Sequence, residues 1–249
     1  MPILRFYQDM LKPKKIVVVL FLICLSVNVF AQKKSNKYSS VENLRTFDNQ
    51  KFHFGFLLGY NNSSYKLKNN LTNDTLNILE VENRPGFDIG LVSVYHISKN
   101  VKLRFTPNIS FQDKQVEYTF FSPTLEKSTQ DNQVIESTFI EFPLTLKLRT
   151  NRIKNFAAGI LLGGKYAIDA ASQKDKEDLG VPFLKTQEKD VSMIIGGSFD
   201  FFLEYFKFGV EIKYNHGFNN MLFQDQNIYS SPLDYLFSRV WSVTLTFEG

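Results

Sequence analysis

Cysteine is almost absent from this sequence. The 249-residue chain has one, Cys24, and a lone cysteine pairs with nothing, so a disulfide scaffold is excluded. Long apolar runs are scarce. Only Ile16–Phe30 comes near the ~20 residues a helix needs to cross a bilayer, which excludes a polytopic helical membrane protein. Neither sign of charge dominates, with 29 Lys+Arg against 25 Asp+Glu. Apolar and aromatic residues are plentiful: 43% hydrophobic and 15% aromatic, with 25 Phe. That content excludes a disordered chain, and the length suits one large domain or two small ones.

Residues 1–31 read as an address. Arg5, Lys12, Lys14 and Lys15 precede the apolar run, and Val29-Phe30-Ala31 follows it as a small-residue cleavage pattern. These are the parts of a secretory signal peptide. A lipid anchor on Cys24 is rejected, because the bulky Ile23 stands where a small residue is required. Cleavage removes four bases and Asp9, leaving a nearly neutral mature chain without cysteine. Such a chain suits an oxidising compartment and gives no support to a nucleic-acid partner. Residues 32–50 are polar and aperiodic, and read as a periplasmic linker.

From Lys51 the pattern turns to period two, the signature of a strand whose alternate side chains face opposite sides. Eight segments show it: 52–60, 87–95, 101–111, 138–148, 156–166, 193–205, 206–214 and 241–247. In each, one phase is mostly apolar and holds no Asp, Glu, Lys or Arg. The other phase holds Asp88, Lys102, Arg104, Glu141, Lys147, Arg149, Lys165, Asp200, Glu204, Lys207, Glu211 and Lys213, with many glycines.

A soluble barrel turns its apolar phase inward, whereas a membrane barrel turns it toward lipid. Three features favour the membrane. Tyr60, Tyr166 and Tyr214 lie on the apolar phase near one end of their strands. Tyr95, Tyr205 and Phe247 lie near the other, giving two girdles at the bilayer interfaces. Connections alternate long (61–85, 121–133, 169–190, 217–237) and short (98–100, 149–155, about 204–207). The chain closes on an alternating strand, Trp241–Phe247, of the kind that outer-membrane assembly machinery reads.

The expected fold is therefore all-β: an eight-stranded antiparallel up-and-down transmembrane β-barrel over residues 51–249. It would sit in the lipid of a bacterial outer membrane with both termini periplasmic. Closure leaves no unpaired backbone in hydrocarbon. Pro107 and Pro143 cannot donate to the ladder, so a bulge or local break is expected near each. Eight strands leave a lumen that side chains can fill. Asp88, Arg104, Glu141, Lys147, Lys165, Asp200, Glu204, Glu211 and Lys213 are expected to form a charge network there, making a plugged scaffold rather than a pore.

Motifs for other chemistry are weak. Gly159–Tyr166 has phosphate-loop spacing, but Tyr166 replaces the Ser/Thr and the segment alternates like a strand instead of opening a helix. His53 and His96 map to one end and His216 to the other, so a metal site is not expected. His216 with Asp225 or Asp234 is the sole catalytic candidate, and a rim histidine in water is the better reading. Asn62-Ser63-Ser64 and Asn70-Leu71-Thr72 have glycosylation spacing but read as turn residues. Lys174-Asp175-Lys176-Glu177-Asp178 reads as a solvated loop tip. Leu233-Asp234-Tyr235-Leu236-Phe237 reads either as a partner contact or as the upper part of the last strand. No catalytic residue, cofactor, metal or small-molecule substrate is expected.

Several segments carry a resemblance. They are HFGFLLGYN (53–61), FIEFPLTLKLRT (139–150), GGKYAIDAASQ (163–173), FDFFLEYFKFGVEIKY (199–214), GFNNML (217–222) and IYSSPLDYLFSR (228–239). The chain resembles the PorT (SprT) family of outer-membrane barrels of the Bacteroidota, a component of the type IX secretion and gliding apparatus. The resemblance implies a non-enzymatic barrel needed to export cargo with C-terminal signals, with other secretion subunits as partners. It brings no catalytic residues with it.

Overall fold

The structure is a computed structural model that describes residues 42–69, 76–122, 127–172, 183–225 and 228–249. The signal peptide, linker residues 32–41, the Asn70-Leu71-Thr72 triplet and the charged tip at 174–178 lie outside the described residues.

Nine strand segments follow a single 3-10 turn, Phe47–Asn49. They are β1 (Phe52–Asn69), β2 (Leu76–His96), β3 (Val101–Phe105), β4 (Asn108–Ser122), β5 (Lys127–Arg149), β6 (Phe156–Asp169), β7 (Lys189–Phe202), β8 (Lys207–Gly217) and β9 (Leu233–Glu248). Each pairs antiparallel with its neighbours, and β9 returns to β1, with Gly55 opposite Glu248. β3 and β4 are two halves of one strand. Phe105 faces Leu144 and Asn108 faces Glu141, so the register on β5 runs through the gap unchanged. The ring has eight strands.

The gap at residues 106–107 is the work of both prolines, and no bulge accompanies it. Thr106 N–H donates to the Pro143 carbonyl (3.1 Å) and Leu91 N–H donates to the Pro107 carbonyl (2.9 Å). In each pair the return bond would need the proline's missing N–H. Pro107 thus loses its bond toward β2 and Pro143 loses one toward the β3–β4 strand. β5 itself passes through Pro143 without interruption, so the expected break at Pro143 falls on its neighbour instead.

The wall is inside-out relative to a soluble barrel. Phe54 and Leu91 on the outer phase are each 65% exposed, whereas Lys102, Lys147 and Lys207 on the inner phase are 0% exposed. Narrowness shows at the glycines. A Cβ on Gly55 would lie 2.1 Å from the Phe247 carbonyl oxygen, and one on Gly163 would lie 2.2 Å from that of Leu144. Side chains at those inward positions would collide with the neighbouring strand.

The strands run further than the alternation suggests. Residues 61–69, 76–85 and 127–133, expected in loops, are strand. There the outer phase is polar as well, so the period-two signal stops while backbone pairing continues. β1–β2 pairing ends at Ser63 opposite Arg84, and β5–β6 pairing ends at Phe139 opposite Asp169. β4 stays paired to β2 as far as Leu76–Phe120 and to β5 as far as Ser122–Lys127. The upper parts of β2, β4 and β5 therefore stand above the ring as a three-stranded blade. At the opposite end, residues 97–100, 150–155 and 203–206 are short turns.

Candidate functional site

The lumen is filled by two groups of charged side chains. Near the turn end, Arg104 forms ion pairs with Glu211 Oε1 (2.8 Å) and Glu248 Oε1 (3.3 Å), and Lys207 Nζ meets Glu248 Oε2 at 2.5 Å. Lys147 Nζ lies 2.7 Å from Asp200 and 3.9 Å from Glu211, with Lys213 3.6 Å from Glu211. Higher up, Lys165 pairs with Glu141 (2.6 Å), whose carboxylate also accepts from Gln112 (3.0 Å). Asp88 makes no ion pair among the described residues. It accepts from Asn61 Nδ2 (2.7 Å) and Ser110 Oγ (2.5 Å). Lys114 donates to Gln112 (3.1 Å) between the rings of Tyr65 and Phe139. The cavity left between the groups is about 30 Å³, room for water and nothing larger.

Of the nine side chains expected in the network, eight point into the lumen and Glu204 does not. β7 ends at Phe202, and Leu203 N–H bonds the Phe206 carbonyl (3.0 Å) in a tight turn. Glu204 sits exposed on that turn, because the strand ends at Phe202 whereas the alternation in the sequence runs on to Tyr205. The expected set omits Lys102, Arg149 and Lys207, although all three carry the inner-phase signal. It also omits Lys114, which lies beyond its alternating segment, and Glu248, which follows the Trp241–Phe247 alternation but is the final residue of β9. Asp48 lies where the sequence has no period at all.

Asp48 belongs to a plug. Residues 42–50, read from sequence as linker, fold into the turn-end mouth. Phe47 is 4% exposed. It stacks on His53 at 3.7 Å between ring centres and meets the edge of Phe202 at 5.9 Å. Lys102 and Lys207 place their ammonium groups 5.8 and 5.4 Å from its ring, within cation–π range. His53 Nε2 lies 2.7 Å from the Phe47 carbonyl oxygen. Asp48 bridges Arg149 (3.0 Å) and Lys102 (3.4 Å). Burial pushes its carboxyl up, but the Arg149 hydrogen bond and the charges of Lys102 and Arg149 outweigh that and hold it below its ordinary value. Arg152 clamps the segment from outside, donating to the Asn43 and Leu44 carbonyls with its guanidinium 3.9 Å from the Phe202 ring centre.

The loop end is closed by apolar packing. Leu184, Met221, Leu222 and Tyr229 fold in from the connections and bury with Tyr65, Val116, Tyr118, Phe139, Leu233 and Leu236. Gln187 N–H bonds the Met221 carbonyl and Met221 N–H bonds that of Leu236, both at 2.8 Å. Tyr118 donates to the Tyr229 carbonyl at 2.9 Å, and the Tyr229 hydroxyl donates to Asp131. That bond raises the Tyr229 hydroxyl to about 12. Leu233 and Leu236 are therefore part of β9 and of this cap, and the partner-contact reading of 233–237 falls for them.

The outer face carries the aromatic belts. Toward the loop end stand Tyr60, Tyr166 and Tyr214, with Trp241 4.8 Å from Tyr214 and a Phe87–Phe111 stack at 4.4 Å. Toward the turn end, Tyr95 meets Phe52 at 4.9 Å, and Phe247 packs among Phe56, Phe206 and Phe208. Tyr205 lies beyond β7 on the 203–206 turn, 81% exposed.

Among the described residues no catalytic grouping forms around His216 at the rim. Asp225 pairs with Lys185 (3.0 Å), Asp234 with Lys68 (3.7 Å), and His216 packs between Tyr214 and Phe218. Gly159–Tyr166 is strand throughout. Among the described residues no group of His, Cys, Asp and Glu is placed to hold a metal ion.

The chain was compared with known proteins. Residues 30–222 match the family model described as outer membrane protein beta-barrel domain. No curated protein matches the sequence significantly. Among solved structures it is similar to OprG from Pseudomonas aeruginosa (15% identity, 79% of this chain and 92% of that chain, TM-score 0.40). It is also similar to Ail, the attachment invasion locus protein of Yersinia pestis, in complex with the heparin analogue sucrose octasulfate (14%, 80% and 100%, TM-score 0.36). A third similar structure is Neisserial surface protein A (11%, 77% and 96%, TM-score 0.35).

Proposed function

Because the chain belongs to the outer membrane protein beta-barrel domain family and so resides in the outer membrane, we propose that it is a non-enzymatic scaffold subunit of the type IX secretion machinery of the Bacteroidota. The observation that carries the scaffold reading is closure of the barrel at three levels. Phe47 and Asp48 block one mouth, the salt-bridged side chains fill the lumen, and the Met221–Tyr229 cap seals the other mouth. A barrel so filled does not pass a polypeptide, and its work falls to the surfaces at its two ends. The assignment to secretion rests on the PorT-like segments. In this reading the short turns and both termini face the periplasm, and the blade and cap face outward. Protein-secretion partners meet those ends, and the wall meets lipid.

Deleting the gene and profiling cargo in the medium and periplasm tests the proposal. Cargo with C-terminal signals is expected to accumulate unprocessed inside the cell. Normal export into the medium would overturn the secretion role and leave a stand-alone structural or adhesive barrel.

A further inference from the structure

Among the described residues, the blade above the ring has an unpaired edge. Thr106 N–H bonds the Pro143 carbonyl, so odd-numbered residues of β5 exchange bonds with the β3–β4 strand and even-numbered ones turn toward β6. β6 uses them only as far as Thr138, whose carbonyl accepts from Ala170 N–H (2.8 Å). Beyond that point the backbone N–H and C=O of Glu136, Val134, Asn132 and Gln130 have no partner among the described residues. Val134 is 47% exposed.

Natural sheets blunt such edges with proline, lysine or a bulge. This edge has none of the three between Gln130 and Ser137. Its register on β4 is unbroken from Ser122–Lys127 to Asn108–Glu141, so the edge is regular. A groove of about 90 Å³ runs beside it, bounded by Gln133–Glu136 on one side and Phe183, Leu184 and Thr186 on the other. The far wall is itself held in place, since Thr186 bridges to Leu222 and Phe223 N–H bonds the Lys185 carbonyl (3.2 Å). Ile135 and Leu184 give the groove apolar surface. Glu136 gives it an exposed carboxylate, Asp169 beside it is buried and accepts from the Thr138 and Ala171 N–H groups, and among the described residues no basic side chain lines it.

We propose that the upper edge of β5 is a docking site for an extended, basic segment of a partner polypeptide, which adds to the blade as a fourth strand. Main-chain bonds to the even-numbered residues supply affinity, and alternate side chains of the guest enter the groove. Lysine or arginine on the guest answers Glu136. The inference does not depend on the secretion assignment.

The test uses the full chain in nonionic detergent and a fluorescein-labelled nine-residue peptide of alternating Lys and Val, read by anisotropy against empty micelles. Saturable binding is expected, and the matching Glu/Val peptide should not bind. Val134→Pro removes one outward N–H and no bond to β4, so the barrel should keep its melting temperature while peptide affinity falls at least about tenfold. A Lys/Val peptide N-methylated at alternate backbone amides should lose affinity equally, and it carries the test if Val134→Pro fails to fold. Absence of binding, or equal binding by the variant and by the methylated peptide, would overturn the proposal. So would self-association of the wild-type chain that Val134→Pro abolishes, because the occupant would then be a second copy.

Discussion

Lys147 is fully buried, and its nearest counter-charge is Asp200 at 2.7 Å. A buried pair contributes little over an apolar substitute, but removing one member strands the other at a cost of about 3–5 kcal/mol. Asp200→Ala should therefore lower the melting temperature and the resistance to SDS. Glu211, 3.9 Å from Lys147, takes up part of the loss and places the effect toward the lower figure. Glu204→Ala is the internal control. Its carboxylate stands in water on a turn, where substitutions stay within about 0.5 kcal/mol. Equal melting of Asp200→Ala and wild type would show that Lys147 is solvated in the lumen. At this scale the sequence was informative about which side chains face inward, because inward and outward alternate with fixed period. It was silent on partners. Nothing in the spacing says that Asp88 is served by Asn61 and Ser110 while Glu141 takes Lys165. Those pairings depend on the register between neighbouring strands, which sets Ser110 directly beside Asp88 and brings Lys165 of β6 within two positions of Glu141 on β5.

The plug shows what a segment without periodicity conceals. Residues 42–50 make one 3-10 turn, and they bond to residues far along the chain: the side chains of Arg149, Lys102 and Arg152 and the Phe202 carbonyl. A polar stretch with a single buried Phe is indistinguishable by pattern from a solvated linker. Its electrostatics make a prediction. Asp48 is held below its ordinary carboxylate value of 3.8. It therefore favours the docked segment at pH above that value, and the contribution is lost as pH falls through the lowered folded value. Hydrogen exchange at the Asn49 and Gln50 amides, corrected for the intrinsic rate, should be slow and flat at neutral pH. It should speed up as pH drops below about 4. Asp48→Asn should be faster at neutral pH and should lose that acid response. An identical acid response in the variant would assign it to another carboxylate. The blade is the second element that the pattern hid. Above Phe139 the outer phase of β5 (Thr138, Glu136, Val134, Asn132, Gln130) is polar but for Val134, while Ile135 still packs inward against the cap, so alternation ends where lipid would end, whereas the backbone of β5 continues paired to Lys127.

For the whole molecule, the consequence of these parts is that three closures stand in series. The Phe47–Asp48 plug relies on ion pairs and ring stacking, the lumen on ion pairs, and the loop-end cap on apolar packing. They fail under different conditions, so removing one leaves two. Purified chain in a planar bilayer should show no step conductance at neutral pH. A chain beginning at Lys51, which lacks the plug, should show none either, because Arg104, Glu211 and Glu248 still cross the lumen beneath the Met221–Tyr229 cap. Steps of uniform size in the intact chain would overturn the closed-barrel reading and with it the scaffold argument. Steps appearing only after truncation would make the plug the sole seal and reduce the lumen network to a wet, permeable lining.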